Sequence, residues 1–150
     1  MFNVKNILVP TDFGSLSHSA LDYAKDLADS MNAAIHLLHV IDKSIPFIPG
    51  KQILNEEEIS SSLEIEARKH LSALTREIES ESDVKVIGVI RQGIDYEEIT
   101  NYANEFKTDL IVIATHGRTG IMHSLLGSVA EKVIQHSKCP VLVIPPREER

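Results

Sequence analysis

The sequence predicts a single-domain α/β protein with an open parallel sheet and helices on both faces. Short, continuously apolar segments alternate along the chain with longer segments whose apolar residues recur at helical spacing. Strands buried on both faces of a sheet read as such continuous runs, and their alternation with helices implies right-handed βαβ units. The chain has 150 residues, 43% of them hydrophobic, which suffices for one domain with its own core.

The first three predicted elements are a strand, a helix and a second strand. Residues 4–10 form a short apolar run that Pro10 closes, which predicts a buried strand. Residues 15–31 predict a helix, because their apolar side chains fall on one helical face. Residues 33–41 are a second apolar run and predict the second strand.

A loop and a long helix follow. Residues 42–55 contain two prolines and a glycine, which predicts a loop, and we expect residues 43–55 to be mobile. Residues 56–81 predict a helix whose leading glutamates suit the positive end of the helix dipole. One apolar face of this helix is predicted to be buried and consists of Ile59, Leu63, Ala67, Leu71, Leu74 and Ile78.

The second half of the chain continues the alternation. Residues 84–90 predict a third strand, and we expect a helix to begin at Asp95, with Glu98 completing a capping box. The fully apolar residues 110–114 predict the fourth strand. The last predicted elements are a short helix over residues 128–136 and a fifth strand over residues 141–144.

Composition argues against several classes of protein. The formal net charge of −7 argues against binding to nucleic-acid backbones, which requires a basic face. The first residues show no signal-peptide pattern, and no run approaches the roughly 18 apolar residues of a membrane helix. The one cysteine, Cys139, can form no internal disulfide, so we expect a cytoplasmic protein.

Polar residues and glycines follow two of the predicted strands. Ligands of open parallel sheets bind beyond the carboxyl ends of the strands, where the strand order reverses. Pro10, Thr11 and Asp12 follow the first strand. After the fourth strand, glycines and a helix start predict a phosphate-binding loop, because amides at a helix N-terminus bind anions. The candidate residues of this second segment are Ala114, His116, Gly117, Arg118, Gly127, Ser128, Val129 and Ala130.

These residues resemble the signature of the universal stress protein family, in its ATP-binding type, and the resemblance covers nearly the whole chain. The signature is a glycine, two residues, a glycine, nine residues, and a glycine followed by serine or threonine. Gly117, Gly127 and Ser128 match it in register, and Ala114 replaces the first glycine. Further points of resemblance are Asp12, Val40 and the closing residues Cys139, Pro140, Val141, Leu142 and Val143.

The resemblance implies a Rossmann-like sheet with strand order 3-2-1-4-5 and a bound adenine nucleotide. It implies that Asp12 accepts hydrogen bonds from the ribose and that the backbone of Val40 contacts adenine. Ala114 adds only one methyl group, so we expect it to narrow the pocket without closing it. The implied cofactor is ATP, ADP or AMP, with Mg²⁺. The implied phosphate contacts are the amides of Gly117, Gly127, Ser128 and Val129 and the Ser128 hydroxyl. The implied homodimer forms through the edge strand Val141, Leu142, Val143 and Ile144.

Several candidate residues also have simpler interpretations. Asp12 can cap the helix or the turn that follows it, and Ser128 with Glu131 fits a capping box. His116 and Arg118 can be solvated loop residues. Neither a P-loop nor a dinucleotide-binding fingerprint occurs in the sequence.

The sequence favours a regulatory protein whose state depends on ATP occupancy and which turns ATP over slowly or not at all. A slow ATP hydrolase or phosphoryl transferase is the first alternative, although no general base or dedicated lysine stands out and no catalytic residue is predicted. A ligand-free homodimeric interaction module is the second, and the glycines and Ser128 argue against it. No metal site is predicted, because His36 and His39 are three residues apart on one strand and point to opposite faces.

Overall fold

Five parallel strands form one sheet, in the order β3-β2-β1-β4-β5. The computed structural model describes residues 2–42, 56–116 and 126–146. The expected strand order is therefore confirmed, while the loop predicted at residues 43–55 lies outside the described residues. The strands are β1 (Asn6–Pro10), β2 (Ala34–Ile41), β3 (Val86–Gln92), β4 (Leu110–Ala114) and β5 (Val141–Ile144).

Helices cover both faces of the sheet, as the alternation predicts. Side chains of α1 and α2 pack with one set of strand side chains into the larger apolar cluster of the core. Side chains of α3 and α4 pack with the opposite set into a second cluster. None of these helices is both long and apolar enough to cross a membrane, within the part of the chain that the structure describes. The helices are α1 (Ser15–Met31), α2 (Glu56–Glu81), α3 (Asp95–Glu105) and α4 (Ser128–His136).

Two strands differ from their predicted bounds by two residues. The chain before β1 is bound by a side chain, since the carboxylate of Asp109 accepts from the amides of Lys5 and Asn6 at 2.8 and 2.9 Å. β3 begins at Val86 and runs on to Gln92, because its pairing with the end of β2 continues to that residue. An apolar run shows where a buried strand lies in the sequence. The hydrogen bonds to neighbouring strands determine the residues at which the strand begins and ends.

The long helix α2 is buried over only part of its predicted apolar face. Leu71, Leu74 and Ile78 are buried, but Leu63, predicted to be buried with them, is 40% exposed. The 26 residues of α2 span about 39 Å, whereas the seven residues of β3 span about 23 Å. The early turns of α2 lie at the carboxyl end of β3, where the Ser60 hydroxyl donates to Oε1 of Gln92, the last residue of that strand, at 3.3 Å. The side chain of Ile59 lies outside the described part.

The predicted capping box at α3 is wrong by one position. Ile94 is the N-cap, without a side-chain cap hydrogen bond, and Asp95 is the first helical residue. The Glu98 side chain instead packs over Gly93, where a Cβ atom would lie 2.7 Å from Glu98 Oε1. Gly93 has φ 152°, a backbone conformation that favours glycine. The close approach of Glu98 and this φ value make glycine the residue that fits between β3 and α3.

Candidate functional site

A pocket of about 290 Å³ lies at the carboxyl edge of the sheet. The ends of β1, β2 and β4 form its floor, and the first turns of α1, α3 and α4 form its walls. It therefore occupies the position that the sequence predicts for a ligand. The predicted site residues that line it are Pro10, Thr11, Asp12, Val40, Ala114, His116, Val129 and Ala130.

Other predicted residues lie beside the pocket or outside the description. Gly127 and Ser128 begin α4 and precede the lining residue Val129. Gly117 and Arg118 lie outside the described residues. A wider hollow of about 600 Å³ between α2 and β3 is lined by Arg68 and Arg76, but it contains no predicted site residue and lies away from the strand ends.

Asp12 organises the turn that leads from β1 into α1. Its Oδ1 accepts from the Gly14 amide at 2.9 Å and lies 3.1 Å from the Ser17 hydroxyl. Gly14, and not Asp12, is the N-cap of α1. Asp12 therefore caps the turn and not the helix, because it lies two residues before the N-cap. Because a carboxylate offers about four acceptor positions, this structural role is compatible with binding a ligand's hydroxyl groups.

Thr11 is held from three directions. Its amide donates to the Leu38 carbonyl at 2.8 Å, and its hydroxyl accepts from the Phe13 amide at 3.1 Å. His39 Nδ1 lies 2.8 Å from the Thr11 carbonyl oxygen, so this nitrogen carries the proton and donates. The turn ends at Phe13, whose φ of 64° is left-handed. These contacts fix the direction of the Asp12 carboxylate before any ligand arrives.

Burial lowers the pKa of His39 below its usual value, although the hydrogen bond to Thr11 and the charge of Asp12 oppose the shift. The imidazole is therefore neutral near pH 7. Its ring lies 4.4 Å from the Phe13 ring, and the Phe13 ring stacks on His70 of α2 at 5.0 Å. The turn at the end of β1 is thereby connected to α2.

The end of β2 offers backbone groups to the pocket. Ala34 donates to Lys5, and Leu38 accepts from Thr11, so the even-numbered residues of β2 point their backbone groups towards β1. Residues alternate in this way along a strand, so the N–H and C=O groups of Val40 point to the same side. The paired part of β1 ends at Pro10, opposite Leu38. Val40 therefore presents a donor and an acceptor beyond the end of β1.

At the start of α4, the hydrogen bonds that hold the chain in place join backbone groups. The Gly127 amide donates to the Thr115 carbonyl at 2.6 Å, and the first hydrogen bond within the helix is donated by Glu131 to Gly127 at 3.0 Å. The amide of Gly127, expected to hold a phosphate, is thus used within the protein. The amides of Ser128, Val129 and Ala130 precede the first helical hydrogen bond, which is the position at which helix N-termini in general bind anions.

Gly127 is the N-cap of α4, and Ser128 is its first helical residue. The predicted capping box of Ser128 with Glu131 is therefore wrong, because the box requires the serine one position earlier. A Cβ atom on Gly127 would lie 3.0 Å from the Thr115 carbonyl oxygen. Glycine is needed here because two backbone segments approach each other.

His116 is buried and lines the pocket, with Nδ1 3.1 Å from the Thr115 hydroxyl. Its interpretation as a solvated loop histidine is wrong. Ala114 also lines the pocket, at the end of β4.

The pocket includes Ser17, His39, Asp95 and Ile99, which were not predicted as site residues. Ser17 carried a signal, because it is a polar residue on the buried face of α1. Asp95 carried another, since it opens the helix that follows the end of a third strand. Both signals become specific only when the topology brings these strand ends together.

His36, the other histidine of β2, points to the face of the sheet opposite to His39, as predicted. His36 Nε2 lies 3.0 Å from Asn6 Oδ1, which only accepts, so Nδ1 accepts from the Tyr102 hydroxyl at 2.6 Å. Burial lowers the pKa of His36 and raises the pKa of Tyr102. Over the described ranges, no three histidine, cysteine or acidic side chains group together as metal ligands do.

The sequence profile of the Universal stress protein family matches residues 3–145 of this chain. The chain is 37% identical over 146 residues to universal stress protein MJ0531 of Methanocaldococcus jannaschii, covering 97% of this chain and 85% of that protein. The solved structure of MJ0577, from the same organism, is 35% identical and superposes with a TM-score of 0.83 over 97% of this chain and 99% of that chain. A universal stress protein solved in complex with cAMP shares the fold, with a TM-score of 0.71 and 21% identity over 97% of this chain and 99% of that chain.

Proposed function

This chain belongs to the universal stress protein family, and on that premise we propose that it is a cytoplasmic regulatory protein that binds an adenine nucleotide at the carboxyl edge of its sheet. One observation carries the proposal. A single pocket joins the backbone edge of Val40, the carboxylate of Asp12 and the first turn of α4. These three features suit a base, a ribose and a phosphate chain in that order.

The backbone of Val40 suits adenine in particular. Adenine offers an amino donor beside a ring-nitrogen acceptor, whereas guanine has a carbonyl oxygen in place of the amino group. A strand edge that presents one C=O and one N–H complements the adenine pattern. Leu38 and Ile113 line the same pocket and supply apolar contacts for the flat faces of the base.

The ribose and the phosphates fit the next two features along the sheet. Asp12 follows β1, which lies between β2 and β4, and its carboxylate suits the ribose hydroxyls. Val129 and Ala130 line the pocket at the start of α4, where helix amides and the helix dipole favour a phosphate. The cAMP complex of another family member supports this proposal, because the same fold holds an adenine nucleotide there.

Slow turnover is the expected behaviour of such a site. Fast phosphoryl transfer requires strong charge neutralisation, usually by a metal ion together with lysine or arginine. Among the described lining residues there is no lysine or arginine. Backbone amides stabilise the bound phosphates about as well as a transition state, and such uniform binding does not accelerate chemistry. We therefore propose that occupancy by ATP, with Mg²⁺, and not hydrolysis, carries the regulatory state.

Calorimetry with ATP and 2′-deoxyATP on the wild type and Asp12→Asn tests the site. The asparagine keeps Oδ1 for Gly14 and Ser17 but removes the charge that the ribose hydroxyls favour. We expect ATP to bind about 10-fold more weakly to this variant, and the preference for ATP over 2′-deoxyATP to shrink. Asp29→Asn, on the exposed side of α1, is the matched control. Unchanged ATP affinity in Asp12→Asn would contradict the assignment of the site. If the wild type binds no nucleotide, the second alternative, a ligand-free interaction module, is favoured instead.

Phosphate release at saturating ATP and Mg²⁺ separates a regulatory protein from an enzyme. We expect a rate well below the ~1–100 s⁻¹ of kinases. Steady turnover in that range, lost in Arg118→Ala, would establish an ATP hydrolase instead.

A further inference from the structure

A second carboxylate, that of Asp95, lines the same pocket. Asp95 comes three residues after the end of β3, and β3 lies three places from β4 in the strand order. In the pocket it accompanies Val40 and Ile99. The Gly93 amide donates to the Ile41 carbonyl at 3.0 Å, so the segment that leads to Asp95 lies next to the end of β2, which the proposed function assigns to the base.

A carboxylate in this pocket has a cost for an anionic ligand. Both Asp12 and Asp95 are acidic, and a nucleotide phosphate chain repels each of them. Such repulsion is offset where the ligand directs hydrogen-bond donors at the carboxylate. The ribose hydroxyls supply those donors at Asp12. At the base end, the donor that an adenine nucleotide supplies is its exocyclic amino group.

The local helix explains only part of the Asp95 side chain. Its Oδ1 accepts from the Tyr96 amide at 2.6 Å, and its charge suits the first turn of α3. Glu97 and Glu98 supply the same kind of charge to the same turn without lining the pocket. The position of Asp95 beside Val40 is therefore not accounted for by helix electrostatics.

We propose that Asp95 adds to the adenine specificity of this pocket by accepting a second hydrogen bond from the 6-amino group of adenine. The inference rests on the proposed function, since it concerns the same ligand. An amino group has two hydrogens, so one can reach the Val40 carbonyl and the other the Asp95 carboxylate. A base with an oxygen at this position directs an acceptor at a negative charge, and the carboxylate rejects it.

The test compares ATP with ITP, in which an oxygen replaces the 6-amino group. Calorimetry on the wild type, Asp95→Ala and Asp95→Asn yields the ratio of the two affinities. Hydrogen bonds to charged groups correspond to about 10–100-fold in affinity, so we expect the ATP preference to fall by about this factor in Asp95→Ala. Asp95→Asn keeps an oxygen for the Tyr96 amide and adds an amide donor, so ITP binding should rise.

Glu97→Gln is the matched control, because it removes a charge from the same helix turn outside the pocket. Its ratio of ATP to ITP affinity should equal that of the wild type. If both Asp95 variants weaken ATP and ITP equally, Asp95 is only structural; this overturns the inference while the proposed function stands. If the wild type binds neither nucleotide, the proposed function fails and the inference fails with it.

Discussion

The two halves of the pocket are built from different chemical groups. At the end of β1, the side chains of Thr11, Asp12, Ser17 and His39 form an interlocked set of hydrogen bonds. At the start of α4, one backbone hydrogen bond between Gly127 and Thr115 sets the geometry. The first half therefore depends on the identity and protonation of side chains. The second depends on the absence of a side chain, which makes the two halves separable by experiment.

The largest expected effect is on the backbone half. Gly127→Val adds a Cβ atom that would lie 3.0 Å from the Thr115 carbonyl oxygen and 3.2 Å from His116 Cα, so the turn must move. The clash is with the protein itself rather than with a phosphate. We expect ATP affinity to fall by ~100-fold or more, because the amides at the start of α4 would no longer point at the phosphates. Adenosine has no phosphates, so its affinity should fall only a few-fold. Calorimetry with both ligands measures this difference.

Gly127→Ala should show a smaller loss of the same kind, because it adds the Cβ atom without the two further methyl groups of valine, and φ −72° is a backbone angle that alanine adopts. Gly88→Ala is the control, since its new methyl group meets the Leu71 side chain between α2 and β3. Equal losses of ATP and adenosine in Gly127→Val would show that the two halves are not separate.

The side-chain half should respond to pH with a smaller effect. Burial lowers the pKa of His39 in this half, and of His36 in the core, below the ordinary value of 6.5. The unfolded chain therefore binds more protons than the folded one as the pH falls below 6.5. The free energy of unfolding should be highest near pH 8 and decrease as the pH falls through 6.5 towards 5. Urea denaturation at each pH measures it.

Replacing either histidine should reduce this acid loss. His39→Gln and His36→Gln should each show a shallower decrease between pH 6.5 and 5, and the exposed His18 in α1 is the control as His18→Gln. Acid should also weaken adenosine binding less in His39→Gln than in the wild type. Identical pH profiles in all four proteins would contradict a neutral, buried His39.

The smallest effect on the pocket is expected from the sheet edge beside its backbone half. An apolar edge strand invites pairing, and we propose a homodimer through β5. Val143 packs against the second core cluster, whereas Leu142 is 37% exposed, so Leu142→Lys tests the edge without disturbing the core. Sedimentation should show a wild-type dimer and a monomeric variant, with ATP affinity changed less than about two-fold.

Leu63→Lys, at an exposed position on α2, controls for the added charge and should remain dimeric. A wild type that sediments as a monomer at high concentration would remove the β5 interface. A large loss of ATP affinity in the monomer would mean that contact with the partner subunit stabilises the part of the pocket at the start of α4.

Sequence periodicity predicted the helices well because it records which side of an element is buried. It predicted α1, α2 and α4 with the bounds that they have in the structure. It failed at Leu63, since an apolar stripe does not record where the sheet beneath it ends. The capping boxes at Asp95 and Ser128 were wrong because a box fixes a spacing, while the backbone angles of one residue decide which position is the cap.

The residues that line the pocket were predicted only where the local sequence indicates them. Asp12 and the Gly127 segment follow strands directly, and their residue types indicate a ligand. Their placement in one crevice came from the family resemblance, because the strand order is not encoded in any short segment. Ser17 and His39 were missed for the same reason, since their partners are brought to them by the path of the whole chain.

The hydrogen bonds of His36 with Asn6 and Tyr102 join β2 to β1 and α3 within the core. Shifting a strand by one residue moves every side chain to the other face of the sheet. Such a slip of β2 would put the imidazole into the apolar cluster of α1 and α2 and leave a buried tyrosine hydroxyl without its acceptor. An apolar strand can pair with its neighbours in several registers, but the hydrogen bonds among His36, Asn6 and Tyr102 form in only one of them. These three residues thus specify the register of β2, because they destabilise any fold in which the strand is shifted.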